Sequence, residues 1–168
     1  MKKKIFGNKI IIFLFLITNT FCYSQQLGAS EPIKMPNTSV TITPPEHFIM
    51  SNQFAGFIHM ATGSTILVQE TEGVPFVYYK GENASENFEK QGVTLVEERT
   101  LKTNSGKPCY AYVLSFKVEE SGKEVVFERI LLLTGDYNKT IMLNANYPVI
   151  VKELIFEVLM NSLLSVEF

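Results

Sequence analysis

Short stretches of alternating apolar and polar residues recur along the chain from residue 39, and they predict an antiparallel sheet. In the first stretch Val40 and Ile42 alternate with serine and threonine, and Pro44 then ends the strand because proline cannot donate a hydrogen bond to a strand ladder. The strands that follow are apolar on both faces, so we expect helices to cover both sides of the sheet. The predicted strands of this first part are 39–43, 54–61 and 65–70.

A second run of strands is predicted from residue 93, and short loops rich in glycine, asparagine and serine separate its members. Loops of this length and composition favour hairpins between neighbouring antiparallel strands. The run of three leucines at residues 131–133 is typical of a central strand that is covered on both faces. The predicted strands of this meander are 93–103, 107–119, 123–134 and 139–146.

Two helices are predicted, one before the meander and one after it. Asn83 is a favourable N-cap, Glu86 follows in the capping-box position, and Gly92 is placed to end the first helix. The second helix follows Pro148, a residue favoured at the first position of a helix. We expect this helix to dock on the sheet through an apolar stripe formed by Val151, Leu154, Ile155 and Val158.

Between the first strands and the first helix lies an aromatic segment, Phe76–Tyr79, with the sequence FVYY. Tyrosine combines an apolar ring with a polar hydroxyl, so it suits protein interfaces and small clefts. We therefore interpret Phe76, Tyr78 and Tyr79 as an interaction surface. The alternative is that Phe76 and Tyr79 pack onto the sheet.

The first 24 residues are typical of a secretory signal peptide, because four lysines precede an apolar run at residues 10–17. That run is about half of the roughly 20 apolar residues that a membrane-spanning helix needs. We expect cleavage to leave a mature chain that begins near Gln25 and has no membrane span. A lipoprotein anchored at Cys22 is the alternative, although the bulky Phe21 stands where a small residue is normal.

Cleavage also changes the charge and the cysteine content of the chain. It removes four of the 15 basic residues and none of the 17 acidic ones, so the net charge falls from −2 to −6. Nucleic acids and anionic membranes are bound through clustered lysine and arginine, and we predict neither as a partner. Loss of Cys22 leaves Cys109 without a disulfide partner in the chain. We expect residues 25–38 to form a flexible lead-in and residues 39–168 to form a single α+β domain.

The residues that most often carry catalysis are few and badly spaced. His47 and His59 are the two histidines, and no HxH, CxxC or HExxH spacing is present. Ser64, His59 and Asp136 have the residue types of a catalytic triad, but no GxSxG elbow accompanies them. The glutamates at 97–98 are strand neighbours, so they point to opposite faces and do not share one proton. The sequence therefore predicts no catalytic residue, no metal site and no cofactor.

The order of these elements resembles that of the Mog1/PsbP family, and several short sequence motifs contribute to the likeness. These motifs are FAGF at 54–57, GSTI at 63–66, YP at 147–148 and SLLSVEF at 162–168. The resemblance covers residues 39–168 and implies an α/β/α sandwich, in which helices flank both faces of a central antiparallel sheet. Family members serve as an accessory subunit of a photosystem, as the partner of a small GTPase or as exported proteins. None of their binding residues matches this chain position by position.

We therefore predict an exported, non-enzymatic accessory or binding protein whose partner is another protein or a component of the cell envelope. The alternative is a small exported hydrolase or ligand-processing enzyme with its site between the aromatic segment and the sheet. That alternative requires polar groups to converge around Tyr78, His59 or Glu70.

Overall fold

The computed structural model describes residues 30–79, 84–120 and 122–168 of the chain. Its centre is a seven-stranded sheet with the strand order β3-β4-β5-β9-β8-β7-β6, in which every neighbouring pair is antiparallel. The predicted α+β class, a central antiparallel sheet with helices on both faces, is confirmed. The elements of this sheet and its helices are β3 (Ile49–Met50), β4 (Gly56–His59), β5 (Ser64–Glu72), α1 (Ala84–Glu89), β6 (Thr94–Lys102), β7 (Pro108–Glu120), β8 (Lys123–Gly135), β9 (Lys139–Pro148) and α2 (Lys152–Leu164).

Two further strands, β1 (Ile33–Lys34) and β2 (Thr41–Ile42), form a separate antiparallel ribbon. The strand predicted at 39–43 belongs to this ribbon and not to the central sheet, because its pairing partners lie in β1 and at Glu167, which bridges to Thr41. Met35 is buried as deeply as Val40. The packed structure therefore includes residues that precede Ser39, while residues 25–29 of the predicted lead-in lie outside the described part of the chain.

The four long strands of the meander are those predicted, and β9 pairs with both β8 and β5. This pairing places β9 near the middle of the sheet and joins the hairpins of the N-terminal half to the meander. No helix within the described residues has the length and apolar character that crossing a membrane requires.

Helix α2 covers one face of the sheet, and only part of the predicted stripe takes part, because Ile155 is buried and Val151 packs against the core. Its buried apolar residues include Ile155, Leu159 and Leu163, at intervals of four residues, whereas Leu154 is 81% exposed and Val158 is 46% exposed. The helix carries apolar residues around most of its circumference, so spacing alone does not determine which side is buried. The predicted docking of Leu154 and Val158 is therefore wrong.

Helix α1 and the aromatic segment cover part of the opposite face. Phe88 of α1 packs on a small cluster of sheet residues, and its ring lies 5.5 Å from that of Tyr112. Gly92 has φ of 75°, and the neighbouring Val93 amide donates to the Phe88 carbonyl, so the chain leaves the helix near the predicted glycine. The predicted N-cap, Asn83, lies outside the described residues.

Glu70 of β5 connects the ribbon to the central sheet. Its carboxylate accepts hydrogen bonds from the hydroxyl and amide of Ser39, and Lys139 donates to it at 2.9 Å. Burial on its own would raise the pKa of Glu70, but these hydrogen bonds outweigh it and lower the pKa to about 2 from 4.5.

The Glu70 carboxylate is expected to make stability depend on pH in a defined acidic window. Because its pKa is lower in the folded state, its contribution is complete above about pH 4.5 and is lost as the pH falls towards 2. Urea unfolding measured across this window should show wild type losing on the order of 1–3 kcal/mol more than Glu70→Gln. Glu119→Gln, on an exposed side chain, is the control. Parallel curves for wild type and Glu70→Gln would contradict the assignment.

Candidate binding cleft

The aromatic segment forms a short 3₁₀ helix whose residues divide between core and surface. Phe76 is 6% exposed and stacks on Tyr110 at 5.7 Å, whereas Tyr78 is 78% exposed and Tyr79 is 38% exposed. Phe76 therefore anchors the segment in the core, as the alternative interpretation predicts for this residue. It does not form part of an interaction surface. The two tyrosines are at the surface.

An open cleft of about 520 Å³ lies between the aromatic segment, α1 and the sheet. Tyr78, Tyr79, Asn87 and Gln91 are among the residues that line it on the side of the segment and the helix. The volume falls within the roughly 300–1,000 Å³ that small-molecule sites occupy. The apolar sheet residues that line the cleft are Leu114, Leu131, Leu133 and Met142.

The strand register also brings polar side chains to this face of the sheet. Asn144 lies opposite Leu131, which lies opposite Tyr112, so these three residues form one row across β9, β8 and β7. The next row contains Asn146 and Arg129. Residues two apart in a strand share a face, so both rows border the same side of the sheet.

Arg129 is a half-buried cation with few partners. Its Nε donates to Oδ1 of Asn146 at 2.7 Å, and the guanidinium lies 5.2 Å from the centre of the Phe116 ring. No carboxylate in the described part of the chain forms an ion pair with it. Burial lowers the pKa of Arg129, because the surroundings solvate the charge poorly.

Tyr112 is 1% exposed, and its hydroxyl has no hydrogen-bond partner in the described structure. Burial raises the pKa of Tyr112, and the nearby Glu98 carboxylate adds to that shift. The hydroxyl is therefore neutral and unpaired. An unsatisfied buried polar group of this kind costs about 1–3 kcal/mol, and native proteins contain only a few of them.

The groups considered for a triad do not assemble into one. His59 Nδ1 lies 2.8 Å from the Thr62 hydroxyl, which donates to the fully buried Ser64 hydroxyl. The Asp136 carboxylate accepts hydrogen bonds from the backbone of Asn138 in the turn between β8 and β9. The structure therefore provides no Ser-His-Asp arrangement from these residues.

The polar groups named for a hydrolase also lie apart. His59 stacks on Phe48 and borders a groove that α2 lines on its other side. Glu70 is occupied by Ser39 and Lys139, while Tyr78 borders the cleft. The convergence that the enzyme alternative requires is not formed by these three groups.

Cys109 is fully buried, and burial raises the pKa of its thiol to about 11. The thiol is therefore protonated at neutral pH and is a poor nucleophile.

The acidic pair of β6, Glu97 and Glu98, follows a bulge at Val96. Glu97 pairs with Arg99, and Glu98 lies opposite Tyr112. Among the described residues, no three histidine, cysteine or acidic side chains are grouped to hold a metal ion.

Solved structures with the same arrangement of elements include those of three named proteins. The Ran-binding protein Mog1p of Saccharomyces cerevisiae superposes with a TM-score of 0.57 at 12% identity, over 82% of this chain and 94% of that one. The fold is Mog1/PsbP-like. Cyanobacterial PsbP (CyanoP) from Synechocystis shares the Mog1/PsbP-like fold with a TM-score of 0.50 at 10% identity, over 87% of this chain and 96% of that one.

LpqN, which is involved in cell envelope biogenesis of Mycobacterium tuberculosis, has a TM-score of 0.52 at 11% identity, over 79% of this chain and 86% of that one. No family model matches the sequence, and no curated protein matches it either. At these identities the comparisons establish the Mog1/PsbP-like fold alone.

Of the residues that line the cleft, the sequence interpretation names Tyr78 and Tyr79 on one wall. It does not name Tyr112, Arg129 or Asn144 on the floor. A signal for the floor exists in the sequence. Arginine and asparagine are unusual on a central strand whose two faces are both covered, unless they have a specific partner.

Proposed function

We propose that this protein is an exported, non-enzymatic binding or accessory protein, and that it binds a partner protein through exposed residues at one corner of the sheet. The observation that carries the proposal is a tyrosine patch, which we define as Val77, Tyr78, Tyr79 and Tyr137. The exposed fractions of these residues are 44%, 78%, 38% and 84%. Val77 and Tyr137 border the same groove, so the patch is continuous.

The chemistry of the patch suits protein recognition. Tyrosine is enriched in interfaces and among the residues that dominate binding energy. The patch is also held in place before a partner arrives, because Phe76 is buried beside it and the Thr140 hydroxyl donates to the Val74 carbonyl at 2.7 Å. A surface that is already ordered loses less conformational entropy on binding.

Export is supported by the signal peptide predicted at residues 1–24, which lie outside the described part of the chain. Two proteins with this fold have roles that agree with the proposal. Mog1p is a Ran-binding protein, and LpqN is involved in cell envelope biogenesis. A non-enzymatic role is supported by the separation of His59, Glu70 and Tyr78.

The proposal is tested by affinity capture with the tagged full chain, expressed in its producing cell and recovered from the fraction outside the cytoplasm. The triple variant Val77→Ser, Tyr78→Ser, Tyr137→Ser should lose captured partner by roughly tenfold or more, because large exposed side chains dominate such interfaces. The matched control is Ile150→Ser with Leu154→Ser, which removes exposed apolar side chains from the α2 region.

Equal melting temperatures for the three proteins ensure that folding is not the cause of any loss. Equal capture by wild type and the patch variant would contradict the proposed surface. Recovery of the chain only from the cytoplasm with residues 1–24 still attached would contradict export.

A further inference from the structure

We infer that the cleft binds a small amphipathic anion, with a carboxylate-type head at Arg129 and an apolar body along Leu131, Leu133 and Met142. This site is distinct in chemistry from the tyrosine patch, although Tyr78 and Tyr79 border both. It goes beyond the proposed function, because a ligand of this class does not require a partner protein.

The anionic end follows from the state of Arg129. Only its Nε donates to a described side chain, the amide of Asn146, and that amide in turn donates to Thr65. The terminal nitrogens of the guanidinium therefore retain donors for a ligand. A guanidinium matches a carboxylate in planar, paired geometry, and it is less strongly hydrated than an ammonium group. A half-buried arginine that has no counter-ion among the described residues attracts an anion.

The orientation of the ligand in the cleft follows from the position of Glu98. This carboxylate lies opposite Tyr112, whereas Arg129 lies opposite Leu114, two residues further along β7. Glu98 lies on the edge strand β6 and Arg129 lies on β8, so an anion is repelled at the β6 side of the Tyr112 row and is attracted towards β8. The charged head therefore belongs at the Arg129 end of the cleft.

The body of the ligand follows from the floor of the cleft. Leu114, Leu131 and Leu133 belong to the apolar cluster on this face, and Met142 packs against it. Apolar surface of this kind favours a hydrocarbon chain or ring, since contact removes both surfaces from water. Methionine in such a floor adapts to ligands of different shape.

Tyr112 supplies an independent indication that the ligand carries a polar group. Its ring lines the cleft, and its buried hydroxyl is unpaired among the described residues. The neighbouring Asn144 amide is also largely buried and lines the same cleft. Buried polar groups in native proteins are normally paired. A head group with oxygen atoms would provide acceptors for both residues.

The test is calorimetric titration of the full mature chain with decanoate and with decyltrimethylammonium, two probes of equal chain length and opposite charge. Wild type should bind decanoate and should bind the cation roughly tenfold or more weakly. Arg129→Gln should weaken decanoate binding by roughly tenfold or more, because a hydrogen-bonded charge pair is lost. The matched control is Arg99→Gln, since Arg99 is paired with Glu97 and lies beside Phe156 of α2.

Tyr112→Phe separates a binding role from a structural one. If the hydroxyl serves a ligand, this variant should weaken decanoate binding while the melting temperature of the free protein stays equal or rises, because an unpaired buried hydroxyl has been removed. A fall in melting temperature with unchanged decanoate binding would assign the hydroxyl a structural role and would count against the inference.

Equal binding of the two probes, or binding of neither, by wild type would overturn the inference even if Arg129→Gln fails to fold. Equal losses in Arg129→Gln and Arg99→Gln would also overturn it. The inference and the proposed function fail separately, since Arg129→Gln leaves the tyrosine patch intact and should still capture the partner protein.

Discussion

Leu159→Asp is expected to lower the free energy of unfolding by several kcal/mol. Leu159 is fully buried in the cluster between α2 and the sheet. Removing a buried leucine costs about 2–5 kcal/mol, and placing a carboxylate there adds a desolvation penalty. A domain of this size is stable by roughly 5–15 kcal/mol, so the variant should be largely unfolded or close to it. Urea unfolding followed by circular dichroism measures the change.

Leu154→Asp is the matched control, because it makes the same chemical change on the same helix at a side chain that is 81% exposed. Exposed substitutions usually change stability by no more than about 0.5 kcal/mol. If Leu154→Asp destabilised the protein as much as Leu159→Asp, α2 would have to dock through its other side.

Gly56→Ala is expected to destabilise the protein by at least about 3 kcal/mol, because the added methyl group has no room. Gly56 has φ of 155°, and an ideal Cβ there would overlap the carbonyl oxygen of Ile66 and lie 2.9 Å from its carbonyl carbon. That carbonyl belongs to the backbone of β5, so no side-chain rotation relieves the overlap. Strands β4 and β5 would have to separate. Thermal unfolding of the purified variant measures the loss.

Gly63→Ala separates this steric effect from backbone preference. Gly63 also has positive φ, 67°, but a Cβ there meets no heavy atom within 4 Å. Its substitution should cost only the conformational penalty of about 1–2 kcal/mol. Similar losses at both positions would show that close approach of β4 to β5 is not the cause at Gly56.

The meander was predictable from the sequence because its information is local. Each hairpin of β6 to β9 is closed by a short loop, and the alternation within each strand defines two faces without reference to distant residues. The apolar run at 131–133 likewise marked a strand covered on both sides. The Mog1/PsbP-like resemblance was confirmed for the fold because it depends on the same order of elements.

The features that the sequence did not predict depend on contacts between distant segments. The choice of Leu159 over Leu154 depends on how α2 lies across the sheet, which the helix pattern leaves open. The ribbon depends on β1, whose two residues are too few to form a periodic pattern. The cleft floor depends on the pairing of β9 with β8 and β5, and on the partial cover that α1 provides.

The bulge in β6 has a consequence for how the protein behaves at high concentration. Strand β6 is one margin of the central sheet, and a long flat margin can recruit the same strand of another molecule into a growing polymer. The extra residue at Val96 interrupts the regular spacing there, and Glu97, Glu98 and Arg99 follow it directly. Irregular spacing and charge both oppose edge-to-edge pairing, so we expect this margin to resist fibril growth.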